Sequence, residues 1–171
     1  MQRSGVAVGA VSVFDDVIDV VDWTDVRHVV QIAGGRGAFL SAILRRLPTT
    51  TGVLFDAPEV IAEAGPTLYA AGVADRVDCA GGDLFHDIPP GGDLYVVAHV
   101  LWSWTDERVV RLLKLCHDVM PRAARLVLAE PSASPARGCE AWRDVLAEAG
   151  FTLLSTRAAT FGWCVVEAAP L

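Results

Sequence analysis

The sequence predicts an α/β fold in which an open, mostly parallel sheet is covered by helices. Short apolar runs alternate with helical patterns along most of the chain, which is typical of βαβ units. The run HVVQIAGGRGAFL (28–40) passes from an apolar strand through three glycines into a helix. The last two apolar runs, FTLLSTR and FGWCVVEA, follow each other without a helix between them and predict an antiparallel hairpin.

The individual elements follow from these patterns in chain order. Pro48 ends the helix after the glycines, Pro66 bends or splits the next helix, and Thr105 caps a clear amphipathic helix. The first five strands are parallel because helical crossovers join them. Helices are expected over 6–21, 37–46, 57–72, 105–119 and 139–150, and strands over 28–33, 52–56, 76–80, 93–102, 124–130, 151–157 and 161–168.

Composition predicts one domain over residues 1–171, since 53% of the residues are hydrophobic and can fill a core. Its parts are a helical lead-in (1–26), a cofactor-binding core (27–130), and the last helix with the hairpin (131–171). A net charge of −7 without a basic stripe argues against a nucleic-acid partner. Because no apolar run reaches transmembrane length, we expect no membrane partner and a cytoplasmic protein.

The cysteines are widely spaced and form neither a C-x-x-C pair nor a zinc pattern. This spacing predicts reduced, mostly buried thiols and no metal site. The four residues concerned are Cys79, Cys116, Cys139 and Cys164.

The glycine loop indicates a ligand without a pyrophosphate. A dinucleotide fingerprint that starts at Gly35 requires a third glycine where this chain has Leu40, and the lysine and hydroxyl pair of a P-loop is missing as well. Asp56 ends the next apolar run about 20 residues on, where a ribose-binding carboxylate is expected. A nucleoside without phosphates fits best, and the alternative is a packing turn that binds nothing.

In an open parallel sheet, ligands bind beyond the carboxyl ends of the strands. Asp56 and Asp83 both follow predicted strands and would therefore share one rim with the glycine loop. An ionised carboxylate only accepts hydrogen bonds, so Asp56 suits ribose hydroxyls and Asp83 suits an exocyclic amine. Leu84 would flank a purine. For each acid alone, a role in a turn or a solvated loop is the alternative.

Five motifs in order, VVQIAGGRG, GVLFD, GGDLF, VLWSWTDE and RLVLAEP, resemble the catalytic half of plant and bacterial small-molecule O-methyltransferases that use S-adenosylmethionine. The resemblance implies the fold of a Rossmann-like class I methyltransferase sandwich. It also implies that S-adenosylhomocysteine is the product formed from the cofactor. It also implies an aromatic or polyketide metabolite as the acceptor. The implied cofactor residues are Gly34, Gly35 and Gly37 for the methionine end, Asp56 with Ala57 for the ribose, Asp83 with Leu84 for the adenine, and Ala98 at a further contact.

The chain departs from this family's pattern at several positions. The family's D-V-G-G-G reads Gln31-Ile32-Ala33 at its first three places, and a cofactor-contacting lysine is replaced by Ala98. The histidine base of the family's H-D-W triplet is replaced by Trp102, and Trp104 keeps the structural tryptophan.

Three residues are the remaining catalytic candidates. Glu130 matches one of the two acids that flank the base in the family. His99 and His86 are candidate substitute bases on the same rim, with a buried, hydrogen-bonded role as the alternative for His99. On a strand, the side chain of His99 would point away from the face of Ala98 and Val100.

Two segments of the family are shortened in this chain. By this resemblance, PSASPARGC stands in place of the long helical stretch before the last helix, and we expect the family's N-terminal helical domain to be lacking. We therefore expect an exposed apolar patch near 6–21 and Trp102, which would favour a homodimer or a partner subunit. Three functions remain open: methyl transfer to a small-molecule acceptor, a cyclisation or rearrangement on the same scaffold, or a non-catalytic subunit.

Overall fold

The computed structural model describes residues 13–132 and 138–171, with the side chain of Val13 excepted. Its strands form one seven-stranded sheet in the order β3-β2-β1-β4-β5-β7-β6. The strands are β1 (His28–Ile32), β2 (Thr51–Asp56), β3 (Val77–Gly81), β4 (Leu94–Ala98), β5 (Arg125–Pro131), β6 (Phe151–Ala159) and β7 (Trp163–Pro170). The helices are α1 (Val13–Val20), α2 (Ala38–Arg46), α3 (Pro58–Ile61), α4 (Gly65–Ala70), α5 (Asp106–Val119) and α6 (Trp142–Glu148).

The topology confirms the predicted sheet. β1 pairs in parallel with β2 and with β4, β2 pairs in parallel with β3, and β4 pairs in parallel with β5. β7 is antiparallel both to β5 and to β6, which gives the C-terminal hairpin. The sandwich of a mostly parallel sheet between helices is therefore the fold that the alternating pattern predicted.

Each face of the sheet carries its own apolar core, because side chains alternate between the faces of a strand. On β1, Val30 and Ile32 belong to the cluster formed with α5 and α6. Val29 belongs to the cluster on the other face, which is formed with α1, α2 and α4. Both faces of the central strands are fully covered, which explains their continuous apolar runs.

The strand predicted over 93–102 is too long. β4 ends at Ala98, His99 has a φ of 57°, and Leu101–Ser103 form a 3-10 turn. The expectation that the His99 side chain follows strand alternation is therefore wrong. A residue in the left-handed conformation interrupts the extended backbone of a strand. Apolar composition alone does not predict which residue adopts that conformation.

Two helix predictions have different outcomes. The helix predicted over 57–72 is divided into α3 and α4, with Pro66 in the first turn of α4, as the proline implied. Thr105 occupies the position before α5, but its side chain makes no capping hydrogen bond. The start of α5 is instead favoured by Asp106 and Glu107 in its first turn.

The expected apolar patch is absent from the described part of α1. Val17, Ile18 and Val21 are almost fully buried against the sheet, and residues 6–12 lie outside the described residues. Trp102 is only half-buried. Within the described ranges, no helix is both long and apolar enough to cross a membrane.

The cysteine prediction is wrong for one pair. Cys139, in the turn before α6, is joined in a disulfide to Cys164 of β7, with 5.9 Å between the Cα atoms. Cys116 is a buried thiol and Cys79 an exposed one. The sequence separation of 25 residues carried no sign of this pair, because only the packing of the turn before α6 onto β7 brings the two cysteines together.

A buried carboxylate fastens α1 to the edge of the sheet. Glu167 on β7 is 4% exposed, and its Oε2 accepts from Nη1 of Arg125 at 3.0 Å. Arg125 also donates to the carbonyl of Asp22, and Arg157 donates to the carbonyl of Val20. These contacts join the end of α1 to β5, β6 and β7.

Replacing Arg125 with Met leaves the Glu167 carboxylate without its main partner. Because Arg157 lies 3.9 Å away as a partial substitute, we expect the free energy of unfolding to fall by about 3 kcal/mol, at the lower end for a broken buried pair. Urea denaturation measures this loss. Arg46→Met removes an exposed pair with Asp19 and should cost less than about 1 kcal/mol. Equal losses in the two variants would contradict a special role for the buried pair.

The arrangement of the four cysteines predicts how many thiols react in the folded and in the denatured chain. Burial raises the pKa of Cys116 to about 12, so this thiol stays protonated and unreactive at neutral pH. Burial also raises the pKa of Cys79, but the side chain is exposed and reacts slowly. Ellman's reagent should therefore titrate one thiol in the folded, unreduced chain and two in denaturant. Four thiols in denaturant without a reductant would show that the disulfide does not form.

Candidate functional site

The residues predicted to bind a nucleoside do meet at one edge of the sheet. Because β1, β2, β3 and β4 run in parallel, their carboxyl ends lie side by side, with Ile32 paired to Phe55 and to Val97. The glycine loop follows β1, Asp56 is the last residue of β2, and Asp83 follows β3 by two residues. Ala98 is the last residue of β4.

The three glycines of the loop serve different purposes. A Cβ on Gly34 would lie 2.4 Å from Leu54, and one on Gly37 would lie 2.9 Å from Leu68. These two positions are therefore explained by close packing, which supports part of the alternative without a ligand. A Cβ on Gly35 would meet nothing within 4 Å, and its φ is 59°. Gly35 is thus the glycine that faces open space.

Asp56 is connected directly to this loop. Its Oδ2 accepts from the backbone N–H of Gly35 at 2.8 Å, and its Oδ1 accepts from Ala57 at 2.7 Å. Each carboxylate oxygen has a further lone pair, so ribose hydroxyls remain possible donors to it. Ala57, which the motif resemblance assigned to the ribose together with Asp56, therefore lies beside the same carboxylate.

Gln31 has a structural role that the sequence did not reveal. This buried side chain accepts a hydrogen bond from the backbone N–H of Leu40 at 3.0 Å. Leu40 lies in the first turn of α2, whose amides have no partner within the helix. Gln31 thus caps the helix that starts at the glycine loop. Its polar side chain within an otherwise apolar strand was the available signal.

Asp83 is held in a tight turn beyond β3. Its carboxylate accepts from the backbone N–H of Phe85 at 2.7 Å, and this bond is the main cause of its lowered pKa. Nδ1 of His86 lies 3.2 Å from the same carboxylate and lowers the pKa further. Asp83 is therefore a permanent acceptor at neutral pH. His86 lies beside this carboxylate, and Leu84 packs partly on the core.

Aromatic and cationic side chains fix this turn against α5. Phe85 lies 5.9 Å from Trp104 between ring centroids, and the guanidinium of Arg108 stands 4.0 Å from the centroid of Trp104. Arg111 stands 4.7 Å from the centroid of Phe85. Cation–π contacts of this kind favour a fixed position for the loop that carries Asp83.

Glu130 is buried and bound to the backbone. It is 1% exposed, its Oε1 accepts from Val100 at 3.2 Å and from Leu101 at 3.0 Å, and its Oε2 accepts from Trp102 at 3.2 Å. A carboxylate that accepts several backbone N–H groups is a strong anchor. Glu130 therefore positions the segment that carries Trp102, and a catalytic role for Glu130 remains a prediction.

His99 lies on this rim together with two tryptophans. Its ring centroid is 5.8 Å from that of Trp102 and 5.3 Å from that of Trp163, the first residue of β7. No motif in the sequence pointed to Trp163, because its pairing with Pro131 at the end of β5 depends on the hairpin folding back. Trp102 and His99 are brought together, whereas His86 lies with Asp83.

The fold is that of the class I methyltransferases, and comparisons with known proteins agree. A model of the O-methyltransferase domain matches residues 6–152. Phenazine O-methyltransferase PhzM of Lysobacter antibioticus is 32% identical over 176 residues, covering 91% of this chain and 52% of the relative. The crystal structure of LaPhzM superposes with a TM-score of 0.86 at 32% identity, covering 93% of this chain and 54% of that one.

Two further relatives come from Streptomyces. The 3-amino-4-hydroxybenzoate 4-O-methyltransferase of Streptomyces cremeus is 41% identical over 117 residues, which are 68% of this chain and 32% of the relative. Aclacinomycin 10-hydroxylase RdmB of Streptomyces purpurascens is 32% identical over 143 residues, 84% of this chain and 36% of the relative. The chain spans about half the length of the relatives it matches most fully.

The chain therefore belongs to the family of small-molecule O-methyltransferases, whose members use S-adenosylmethionine. The resemblance of the five motifs is confirmed, as is the fold they implied. The roles of individual residues toward a cofactor or an acceptor remain predictions.

Ala33 provides a test of the altered glycine motif. Its φ is 53°, in the left-handed region, where a side chain costs about 1 to 2 kcal/mol. Ala33→Gly relieves this strain, but glycine adds conformational entropy to the unfolded chain. The net result should be a free energy of unfolding that is higher by about 1 kcal/mol, as measured by urea denaturation. Gly35→Ala introduces the same strain, because φ is 59° there, and should lower the free energy of unfolding by a similar amount. A destabilised Ala33→Gly variant would contradict the strain at this position.

Proposed function

We propose that this chain transfers a methyl group from S-adenosylmethionine to a hydroxyl group of a small aromatic metabolite. One observation carries the proposal: the open glycine, Gly35, shares a hydrogen bond with Asp56 at the strand ends, on the rim that also holds Asp83. The family match and the names of the relatives support it, since phenazine and hydroxybenzoate methyltransferases are among them.

The residues present fit such a cofactor. Gly35 leaves space for the methionine end, and the carboxylate of Asp56 offers free lone pairs to ribose hydroxyls. Asp83 is ionised and exposed, so it can accept from an exocyclic amine of adenine, with Leu84 beside it. Ala98 has no polar side chain, so its side chain can contribute only van der Waals contacts to cofactor binding.

The chemistry requires placement more than side-chain reactivity. The cofactor, when bound, supplies a methyl group on a positively charged sulfur, and methyl transfer is an in-line displacement by the acceptor oxygen. Holding the two reactants in line can supply most of the rate gain. A general base adds typically about 10² to 10⁴-fold. With Trp102 at the family's base position, this contribution must come from another group or be lost.

A reaction without methyl transfer is a second candidate, for one reason. A relative that matches 84% of this chain is named a 10-hydroxylase. The other relatives described above are named methyltransferases, which favours methyl transfer over a cyclisation, a rearrangement or a non-catalytic subunit. Mass spectrometry of the product distinguishes these candidates, since methyl transfer replaces a hydrogen of the acceptor with a methyl group and adds about 14 mass units.

A second copy or a partner subunit is part of the proposal. Large apolar side chains that stay exposed favour association with further protein. Tyr69, Leu154, Phe161 and Leu171 are large exposed apolar side chains on the described surface. We place the protein in the cytoplasm, where its methyl donor is made.

Calorimetric titration tests the cofactor site. We expect S-adenosylmethionine and S-adenosylhomocysteine both to bind at micromolar concentration, and Asp56→Ala to weaken both by at least about tenfold because ribose acceptors are lost. Asp75→Ala removes an exposed carboxylate before β3 and should leave binding unchanged.

Two outcomes would contradict the proposal. The first is absence of binding by either compound up to millimolar concentration in the folded chain. The second is binding that Asp56→Ala and Asp75→Ala affect equally, since the acid at the end of β2 would then have no special role.

A further inference from the structure

His99 lies between two tryptophans at the carboxyl edge of the sheet. We call His99, Trp102 and Trp163 the aromatic cluster. The imidazole is tilted by 37° to the ring of Trp102 and by 42° to that of Trp163. The histidine is exposed and both tryptophans are half-buried, so the cluster is a partly open aromatic surface. It lies directly after Ala98, on the rim of the proposed cofactor site.

The position of the imidazole is fixed by its backbone. The N–H of His99 donates to the carbonyl of Ala129 at 2.8 Å, and Glu130 holds the backbone of residues 100–102. The φ of 57° lies in the left-handed region, which a small minority of residues other than glycine adopt, with histidine found there more often than most. Strain that the surroundings enforce is concentrated at functional sites in proteins.

The imidazole of His99 differs from the other three in its polar contacts. Nδ1 of His28 lies 2.8 Å from Oγ1 of Thr51, that of His86 lies 3.2 Å from Asp83, and that of His117 lies 3.8 Å from Asp118. Within residues 13–132 and 138–171, the contacts of the His99 ring are aromatic, and neither of its nitrogens has a hydrogen-bond partner. A neutral imidazole has one acceptor nitrogen, which is therefore available to a ligand.

We propose that the aromatic cluster binds the acceptor and that His99 takes the proton of its hydroxyl group. This proposal rests on the proposed methyl transfer. The tryptophan rings favour a planar aromatic acceptor by stacking, whereas an indole can only donate a hydrogen bond. Imidazole is the group in the cluster that can accept a proton at neutral pH. The acceptor class is therefore a planar aromatic compound with an ionisable hydroxyl group.

The step balances without a further reactant. The hydroxyl proton passes to the free imidazole nitrogen, and an oxygen lone pair forms the bond to the methyl carbon. The carbon–sulfur bond breaks, and its electron pair stays on sulfur. A positively charged donor and a neutral imidazole thus become a neutral thioether and a protonated imidazole, so the total charge is unchanged.

Ligand binding tests the proposal without depending on turnover. The probes are 3-amino-4-hydroxybenzoate and its methyl ether, 3-amino-4-methoxybenzoate, each titrated by tryptophan fluorescence in the presence of S-adenosylhomocysteine. His99→Phe keeps an aromatic ring but has no acceptor atom, so it should weaken binding of the hydroxy compound by about tenfold and leave binding of the methoxy compound within about twofold, because only the former has a hydroxyl proton to donate to His99. Trp163→Leu should weaken both alike through lost stacking.

His28→Phe is the matched control, since it makes the same change at the amino end of β1, away from the carboxyl edge that carries His99, and should alter neither affinity. If His99→Phe does not fold, as judged by circular dichroism, histidine-labelled NMR on the unmodified chain replaces it. The His99 ring resonances should then shift with the hydroxy compound and less with the methyl ether.

Three results would overturn the proposal: no binding of the hydroxy compound, an equal effect of His99→Phe on both probes, or an unchanged His99 resonance. Calorimetry with S-adenosylmethionine separates these results from failure of the proposed function. If the cofactor binds and the probes fail, the aromatic cluster alone is misassigned. If the cofactor does not bind, both proposals fail.

Discussion

Parallel pairing of β1 with β2 and β4 is the constraint on which the site depends. Parallel strands must end on the same edge, so the register that pairs Ile32 with Phe55 and Val97 also brings together the loops after these strands. The glycine loop, Asp56 and Ala98 are separated in sequence, and this register brings them to one edge of the sheet. The buried apolar faces of the strands set the arrangement, and the hydrogen bond from the N–H of Gly35 to Asp56 adds to it.

The glycine loop shows how packing and binding share one segment. Gly34 and Gly37 admit the close approach of Leu54 and Leu68, while Gly35 leaves its surroundings open. Gln31, on the strand before the loop, caps α2 by accepting from the N–H of Leu40. The start of α2 is therefore held by a neutral side chain, and Asp56 is the acid that contacts the loop.

Glu130 organises the other half of the rim. A single buried carboxylate collects the amides of Val100, Leu101 and Trp102, and this turns the chain sharply after β4. The same turn sets His99 in a left-handed conformation beside Trp163. Trp102 is thus held firmly although an indole cannot act as a base, and a nearby imidazole lies in its aromatic surroundings.

The sequence by itself determined the fold class, the parallel order of the first five strands, the hairpin and the rim with Asp56 and Asp83. Periodicity and turn residues report local structure, and parallel topology then follows from a few rules. Only the tertiary structure decided the end of β4, the Cys139–Cys164 pair, and the contact of Trp163 with His99. The two pairs join residues 25 and 64 positions apart, and no local propensity encodes which distant side chains will meet when separate elements pack.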